Sequence, residues 1–499
     1  MTALGTITTM PQLLAYLAQR GADTVCMRRL RRGTGVNADT VEEITYGQFF
    51  AQIAQCRAVL VQRRIAAGAH IALLGADSAA WLAAFGALML HGCTAVPMDP
   101  RLPPQQTAQR AAAADVTAVF YDAASAAAAE AIGDAVPGAV LLPFPEETAE
   151  AWTDEMLSRI VFPGVGAAAL ACLLFTSGTT SEGTGGAKAV MFSHRAMAAG
   201  ICHTVLDIPF TAQLAVMPFH HIAGIASVWN TLYLGAVVCL AEEMKYLFRY
   251  LEYLKPDYML CVPTVLQALL PRLRGAGIYG SARGWNLRMI GCGGAAFPAS
   301  VIGGLQAQGI RVLQSYGATE AGGIGFETEM TAEHPDTIGR PGPALEIRAV
   351  GGELWLRSAY VMDGYYGDPA ATAAVLSPDG WYATGDLCRV DADGYVYLTG
   401  RRRNVIVLSS GENVSPEELE ASLAAACGDI AEVLVRAEGD LLCAVVYPHS
   451  GDAAARERIA AAVECRNAAE PYFRQIHRLH FTDTPFPKTA LGKIRRDSV

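Results

Sequence analysis

The chain of 499 residues is too long for one ordinary compact domain and predicts about two to four units. With 52% hydrophobic and 17% charged residues it has material for a large core, which excludes a mainly disordered chain. A net charge of -10, with no strongly basic domain, argues against nucleic acid as the main partner.

Residues 71–74 read as a strand, 78–91 as an apolar helix, 94–97 as a strand, 105–114 as a helix and 116–120 as a strand. That alternation predicts an α/β fold with a mostly parallel sheet covered by helices. The Ala-rich stretch 123–131 reads as a surface helix. A second series starts near Leu170, with short strands at 214–218, 236–240, 258–262 and 287–291, each followed by a helix-like segment. After Pro341 the texture changes to strands at 345–350, 353–356, 387–390 and 395–399 with tight turns, which is a small β unit. Strand and helix signals return at 405–408, 416–426, 430–435 and 441–446. The basic segment Gly400–Asn404 marks a boundary between a large unit, 1–400, and a small C-terminal α+β unit, 401–499.

The 12 cysteines are scattered from Cys26 to Cys465 without a C-x-x-C pair, so neither a zinc site nor a dithiol redox motif is indicated. The longest apolar runs, 79–90 and 165–175, are about a dozen residues, against about 20 for a membrane span. No apolar h-region follows the first residues. The expectation is a reduced, soluble, cytoplasmic protein with no membrane span.

Three polar segments at strand ends carry chemistry. Residues 173–175 run into Thr176-Ser177-Gly178-Thr179-Thr180, and Lys188 follows. Glycines let backbone N–H groups turn toward an anion, hydroxyls add donors and a lysine adds a mobile charge, a set suited to polyphosphate. The composition also suits a surface loop, and it is not a Walker A loop. Ser315-Tyr316-Gly317-Ala318-Thr319-Glu320 offers hard oxygen ligands for Mg²⁺ and a flat ring for a purine, although Thr319 also suits a helix cap. Asp386, in a loop after Trp381, has the carboxylate a ribose needs, and is equally a turn aspartate before a strand. Gly291-Cys-Gly293-Gly294 follows a strand, but no acidic residue ends the next strand, which speaks against a nicotinamide site. Gly275–Gly280 matches G-x-G-x-x-G without a preceding strand and reads as a loop.

Taken in order, Thr176–Thr180, Pro218-Phe-His-His221-Ile222-Ala-Gly224, Gly293-Gly-Ala295, Tyr316–Glu320, Gly339-Arg-Pro341, Tyr382–Asp386, Gly400-Arg401, Gly411–Pro416 and Pro487–Lys493 resemble the adenylate-forming superfamily of acyl-CoA synthetases, adenylation enzymes and luciferases. The likeness runs from about Thr45 to Arg496. It implies an acid–thiol ligase that uses ATP and Mg²⁺ to join a carboxylic acid to AMP, then passes the acyl group to coenzyme A, with a separate carrier protein's phosphopantetheine as the alternative acceptor. It implies that Thr176, Ser177, Gly178, Thr179, Thr180 and Lys188 hold phosphates; that Gly294, Ala295, Ser315, Tyr316, Gly317 and Ala318 line the adenine pocket; and that Thr319 and Glu320, with Thr176, serve phosphate and Mg²⁺. Asp386 and Arg401 would clamp the ribose, and Lys493, in a mobile small domain hinged at Arg402–Asn404, would bridge acid and α-phosphate.

The chain departs from the family pattern where Ser181–Ala187 separate Thr180 from Lys188, a longer stretch than usual, and where the hinge lacks an acid. A non-catalytic nucleotide-binding homologue is the reading those departures motivate. His221 stands where amino-acid-activating members carry an aspartate, and an ammonium buried without a partner is costly, so the expected acid lacks an α-amino group. His221 also suits a packed core histidine. Its pocket is expected to be walled by His221, Ile222, Gly224, Gly291, Gly293, Gly317 and Gly322, the glycines leaving room beside the carboxylate.

Overall fold

The structure, a computed structural model, describes residues 7–33, 39–147, 150–176, 187–203, 209–262, 265–266, 269, 285–293, 299–329, 334, 337–342, 344–408, 412–439, 441–488 and 494–496. Two large sheets dominate. The first has seven strands, ordered Gly364–Tyr365, Ala189–Ser193, Leu170–Phe175, Thr94–Met98, His70–Leu74, Val116–Tyr121 and Val140–Pro143. Its last five strands are parallel. The second has eight strands, parallel in the middle and antiparallel at both edges.

The main core lies between these sheets. Helix Ala79–His91 is buried on nearly every side, from Trp81 to Leu90, as its unbroken apolar sequence requires. Ser78 caps its start and Gly92, at φ 75°, ends it. Helices Met10–Ala18, Tyr46–Gln62 and Ile222–Leu234 share that core with residues of both sheets.

A four-stranded antiparallel sheet, Glu346–Val350, Glu353–Arg357, Tyr382–Val390 and Val396–Arg401, follows. The C-terminal unit stacks helices Pro416–Ala426 and Ala453–Asn467 on one face of a three-stranded sheet, with its own apolar core drawn from residues 406–481. Its hydrogen bonds to the preceding sheet among the described residues include Ser415 Oγ donating to the Thr399 carbonyl at 2.5 Å and Arg402 Nη1 donating to Glu353 at 2.9 Å.

The expected α/β class stands, and most expected elements fall within a few residues of the observed ones. Two expected loops are strands. Tyr316 lies inside strand Arg311–Ala318, and Asp386 inside strand Tyr382–Val390. Antiparallel pairing, Tyr316 with Phe326 and Asp386 with Arg401, forms the ladder that their glycines and hydroxyls disguised. Strands Val25–Arg31 and Thr40–Thr45 were not expected. They pair antiparallel with each other, and Val25–Arg31 joins Val237–Leu240 far along the chain. Within 123–131, a 3-10 turn precedes helix Ala126–Ala135, whose Ala128, Ala129 and Ile132 are buried. Among the described residues, no helix is long and apolar enough to cross a membrane.

Candidate active site

Strand Leu170–Phe175 delivers Thr176 just past its C-terminal end, and Lys188 directly precedes the return strand Ala189–Ser193. The two are pinned together: Thr176 N–H donates to the Lys188 carbonyl at 3.0 Å, and Lys188 N–H donates to Thr176 Oγ1 at 3.2 Å. Ser177, Gly178, Thr179 and Thr180, which they bracket, lie outside the described residues. The Lys188 ammonium sits 4.5 Å from the centre of the Tyr365 ring, a cation–π contact.

Tyr365 links this lysine to the second sheet. Its hydroxyl donates to Glu320 Oε1 at 2.9 Å. Burial, with Glu320 beside it, raises the Tyr365 phenol so that it stays a donor. Thr319 and Glu320 form a short 3-10 turn after strand Arg311–Ala318. The cap position of that turn is Ala318, with no side-chain cap, so Thr319 is not the capping residue. Its hydroxyl is not committed to capping.

The ribose candidates are assembled by the four-stranded sheet. Asp386 and Arg401 are directly opposed across strands, and Arg401 Nε lies 2.9 Å from Asp386 Oδ1. Tyr316 donates to Asp386 Oδ2 at 2.6 Å. Burial, reinforced by the Asp386 charge, holds the Tyr316 phenol well above its ordinary value. Asp386 N–H is anchored on Thr384 Oγ1, and Thr384 on the Leu354 carbonyl. Buried Glu353 fixes this corner by accepting from Gly385 N–H and from Arg402.

Tyr382 ties the two halves together. It is buried, and burial raises its phenol with Glu320, Tyr365, Tyr316 and Asp386 all adding to the effect. The phosphate-side and ribose-side candidates therefore both neighbour Tyr382, where residues of three sheets meet. Tyr365 and Tyr382 were not read as site residues from the sequence. Tyr382 stood in a quoted segment, but only Asp386 beside it was singled out.

His221 caps helix Ile222–Leu234: its Nδ1 accepts from Ala223 N–H at 3.3 Å. An accepting Nδ1 places the proton of the neutral ring on Nε2, leaving one donor. Burial pushes this imidazole down to about 4. The turn before it is supported by residues the sequence did not flag. Asp77 accepts from Phe219 N–H at 2.8 Å, and His220 Nε2 lies 3.6 Å from Asp99, which Arg101 also holds.

The room expected at the pocket glycines is partly filled by backbone. A methyl added at Gly224 would lie 2.0 Å from the Pro218 carbonyl oxygen, and one at Gly293 2.6 Å from that of Ser315. These glycines permit close chain approach rather than open space. Ile222 and Gly291 are buried, Gly317 is exposed in its strand, and Gly322 ends the Glu320 turn. Gly294, Ala295 and Lys493 lie outside the described residues, as does Gly275–Gly280.

Known proteins resemble this chain along most of its length. A family model described as AMP-binding enzyme matches residues 16–366, and one described as AMP-binding enzyme C-terminal domain matches 403–499. An indoleacetate–CoA ligase of Aromatoleum aromaticum is 28% identical over 488 residues, 92% of each chain. A feruloyl-CoA synthase of an Amycolatopsis species is 29% identical over 483 residues, 91% of this chain and 93% of its own. The crystal structure of an anthranilate CoA ligase with anthranoyl-AMP superposes with TM-score 0.82 over 99% of this chain and 96% of that one, at 20% identity. With these two models matched in order over most of its length, the chain belongs to the AMP-binding enzyme family.

Proposed function

We propose that this protein activates a carboxylic acid lacking an α-amino group, fatty, aryl or another organic acid, as its acyl adenylate and passes the acyl group to the thiol of coenzyme A. The observation that carries the proposal is the meeting of Lys188, Tyr365 and Glu320 with Tyr316, Asp386 and Arg401 around buried Tyr382. A nucleoside triphosphate needs cation and hard-oxygen groups at one end and a ribose acceptor at the other, in one crevice.

In this reading Lys188 and the loop after Thr176 draw the phosphates in. Both Asp386 oxygens are engaged, yet each retains an acceptor position for a ribose hydroxyl. Thr176 and Glu320 supply hard oxygen donors of the kind Mg²⁺ takes, and Tyr365 holds one Glu320 oxygen so that the other is free to face the metal. The ion would neutralise phosphate charge. His221 offers its Nε2–H to one oxygen of the acid, and the other oxygen attacks the α-phosphorus as the bond to pyrophosphate breaks. Lys493 bridges the acid and the α-phosphate from the small unit, 401–499. The thiol then loses its proton and attacks the acyl carbon, and AMP leaves. With no acidic residue in the turn from Phe219 to Gly224, an α-ammonium has no partner there. The names of the two relatives above, CoA ligases of indoleacetate and of a feruloyl acid, support CoA as acceptor, and a fatty acid–acyl-carrier-protein ligase of Mycobacterium marinum, 25% identical over 97% of this chain, keeps a carrier protein as the alternative.

The test is ATP–pyrophosphate exchange with Mg²⁺ and a panel of fatty, aryl, hydroxy and amino acids, without thiol. Exchange with an acid lacking an α-amino group, followed by thioester formation on adding CoA, is expected. Exchange with amino acids alone, or silence across the panel from protein that binds ATP, overturns the reading.

A further inference from the structure

Along helix Tyr46–Gln62, from Phe50 to its end, the described residues line an open, largely apolar hollow of about 430 Å³. One helical stripe, Phe50, Ile53, Ala54, Arg57, Ala58 and Val61, forms a wall. Leu90, near the end of helix Ala79–His91, joins the lining, and Trp152 and Ile160 face the stripe. Ala54 and Ala58 are the shortest side chains of that wall, and Gln62 completes the lining. The opposing wall is fixed. Trp152 N–H donates to the Gly47 carbonyl at 3.1 Å, and a methyl at Gly47 would lie 2.4 Å from the Trp152 oxygen. Asp154 accepts from Ala22 N–H at 2.6 Å. A hollow between pinned walls does not collapse at little cost, and apolar clefts of this size hold small molecules.

Arg57 is the one charged residue in the lining. Among the described residues it has neither an ion-pair nor a hydrogen-bonding partner, in a chain where most arginines are paired. A half-buried guanidinium without an anion, at the edge of an apolar hollow, is complementary to one ligand class: an apolar body with a single carboxylate. We propose that this cavity is a second binding site, separate from the nucleotide crevice, for an amphipathic monocarboxylate whose tail lies between Ala54, Ala58 and Trp152 and whose carboxylate pairs with Arg57. The lining holds one cation and no basic cluster, which favours a single dissolved molecule over an anionic bilayer. The inference stands on the cavity and does not require the proposed reaction.

The experiment titrates the full chain with monomeric dodecanoate, without ATP or Mg²⁺, by calorimetry and by tryptophan fluorescence, using Trp152→Phe to assign the optical signal. Saturable binding is expected, with a fluorescence change lost in Trp152→Phe. Arg57→Ala should weaken that binding about ten-fold or more, Arg57→Lys should retain part of it, and neutral dodecanol should bind the native protein as weakly as dodecanoate binds Arg57→Ala. Ala54→Phe, which fills the hollow, should abolish it. If dodecanoate binds equally well to Arg57→Ala and Ala54→Phe, it occupies another site and the proposal fails. No binding, or binding only to phosphatidylglycerol vesicles, overturns it as well.

Discussion

Tyr316 and Asp386 belong to different sheets, and the tyrosine hydroxyl donates a 2.6 Å hydrogen bond to the aspartate. Arg401 holds the other carboxylate oxygen. The side chain proposed to receive the ribose is therefore fixed before nucleotide arrives. Tyr316→Phe removes one donor from a buried carboxylate, at a cost of about 1–3 kcal/mol. The expected outcome is a lower melting temperature and roughly ten-fold weaker ATP binding, read by calorimetry. Unchanged ATP affinity would detach this pair from nucleotide binding.

Tyr365 touches Lys188 with its ring and Glu320 with its hydroxyl. Tyr365→Phe keeps the ring and frees the carboxylate. Pyrophosphate exchange in this variant should need several-fold more Mg²⁺ for half-maximal rate and recover as Mg²⁺ is raised, while Lys188→Ala should raise the KM for ATP without that recovery. Identical Mg²⁺ curves for Tyr365→Phe and the native protein would remove the tyrosine from the metal's surroundings.

Burial holds His194, His220 and His221 each down at about 4. Their folded values are depressed, so the unfolded chain binds more protons between about 4 and the ordinary 6.5. The stability linked to them is complete above pH 6.5 and falls as pH drops toward 4. Asp77, raised to about 6 by burial, acts in the opposite sense: its contribution is complete below the ordinary carboxylate value and is lost as pH rises through 6. In proton NMR, three of the ten histidine rings should remain neutral down to about pH 5. A His221 resonance that titrates near 6.5 would contradict the half-buried, capping ring.

Gly224 packs under the Pro218 carbonyl oxygen, where a methyl would lie 2.0 Å away. Gly224→Ala should displace helix Ile222–Leu234 and destabilise the protein by about 1–3 kcal/mol, visible as a reduced melting temperature. Because His221 caps that helix, the KM for the acid should rise in parallel. A variant that melts with the native protein would show that this approach is not tight.

The α/β class was legible because strands such as His70–Leu74 and helix Ala79–His91 are local and strongly apolar. The pairing of Val25–Arg31 with Val237–Leu240 was not, since residues so distant in sequence carry no shared period. Asp386 could be picked out as a carboxylate beside glycine. Its support by Tyr316 from another sheet, and the burial of Tyr382 among four site residues, depend on how sheets dock. Tyrosine is also an ordinary core residue, so composition gave it no weight. Pocket glycines read as open space proved to be places where backbones touch, which only the neighbouring carbonyls reveal.

The C-terminal unit closes its apolar core on residues 406–481 and meets the rest of the chain through hydrogen bonds such as Ser415 to Thr399. Few apolar groups would lose their cover if that seam opened, so the cooperativity that makes a small protein melt all at once has little to carry it across. Calorimetry should resolve two transitions, and one melting temperature would then describe neither half. A damaging substitution in the small unit would silence it while leaving the larger unit folded.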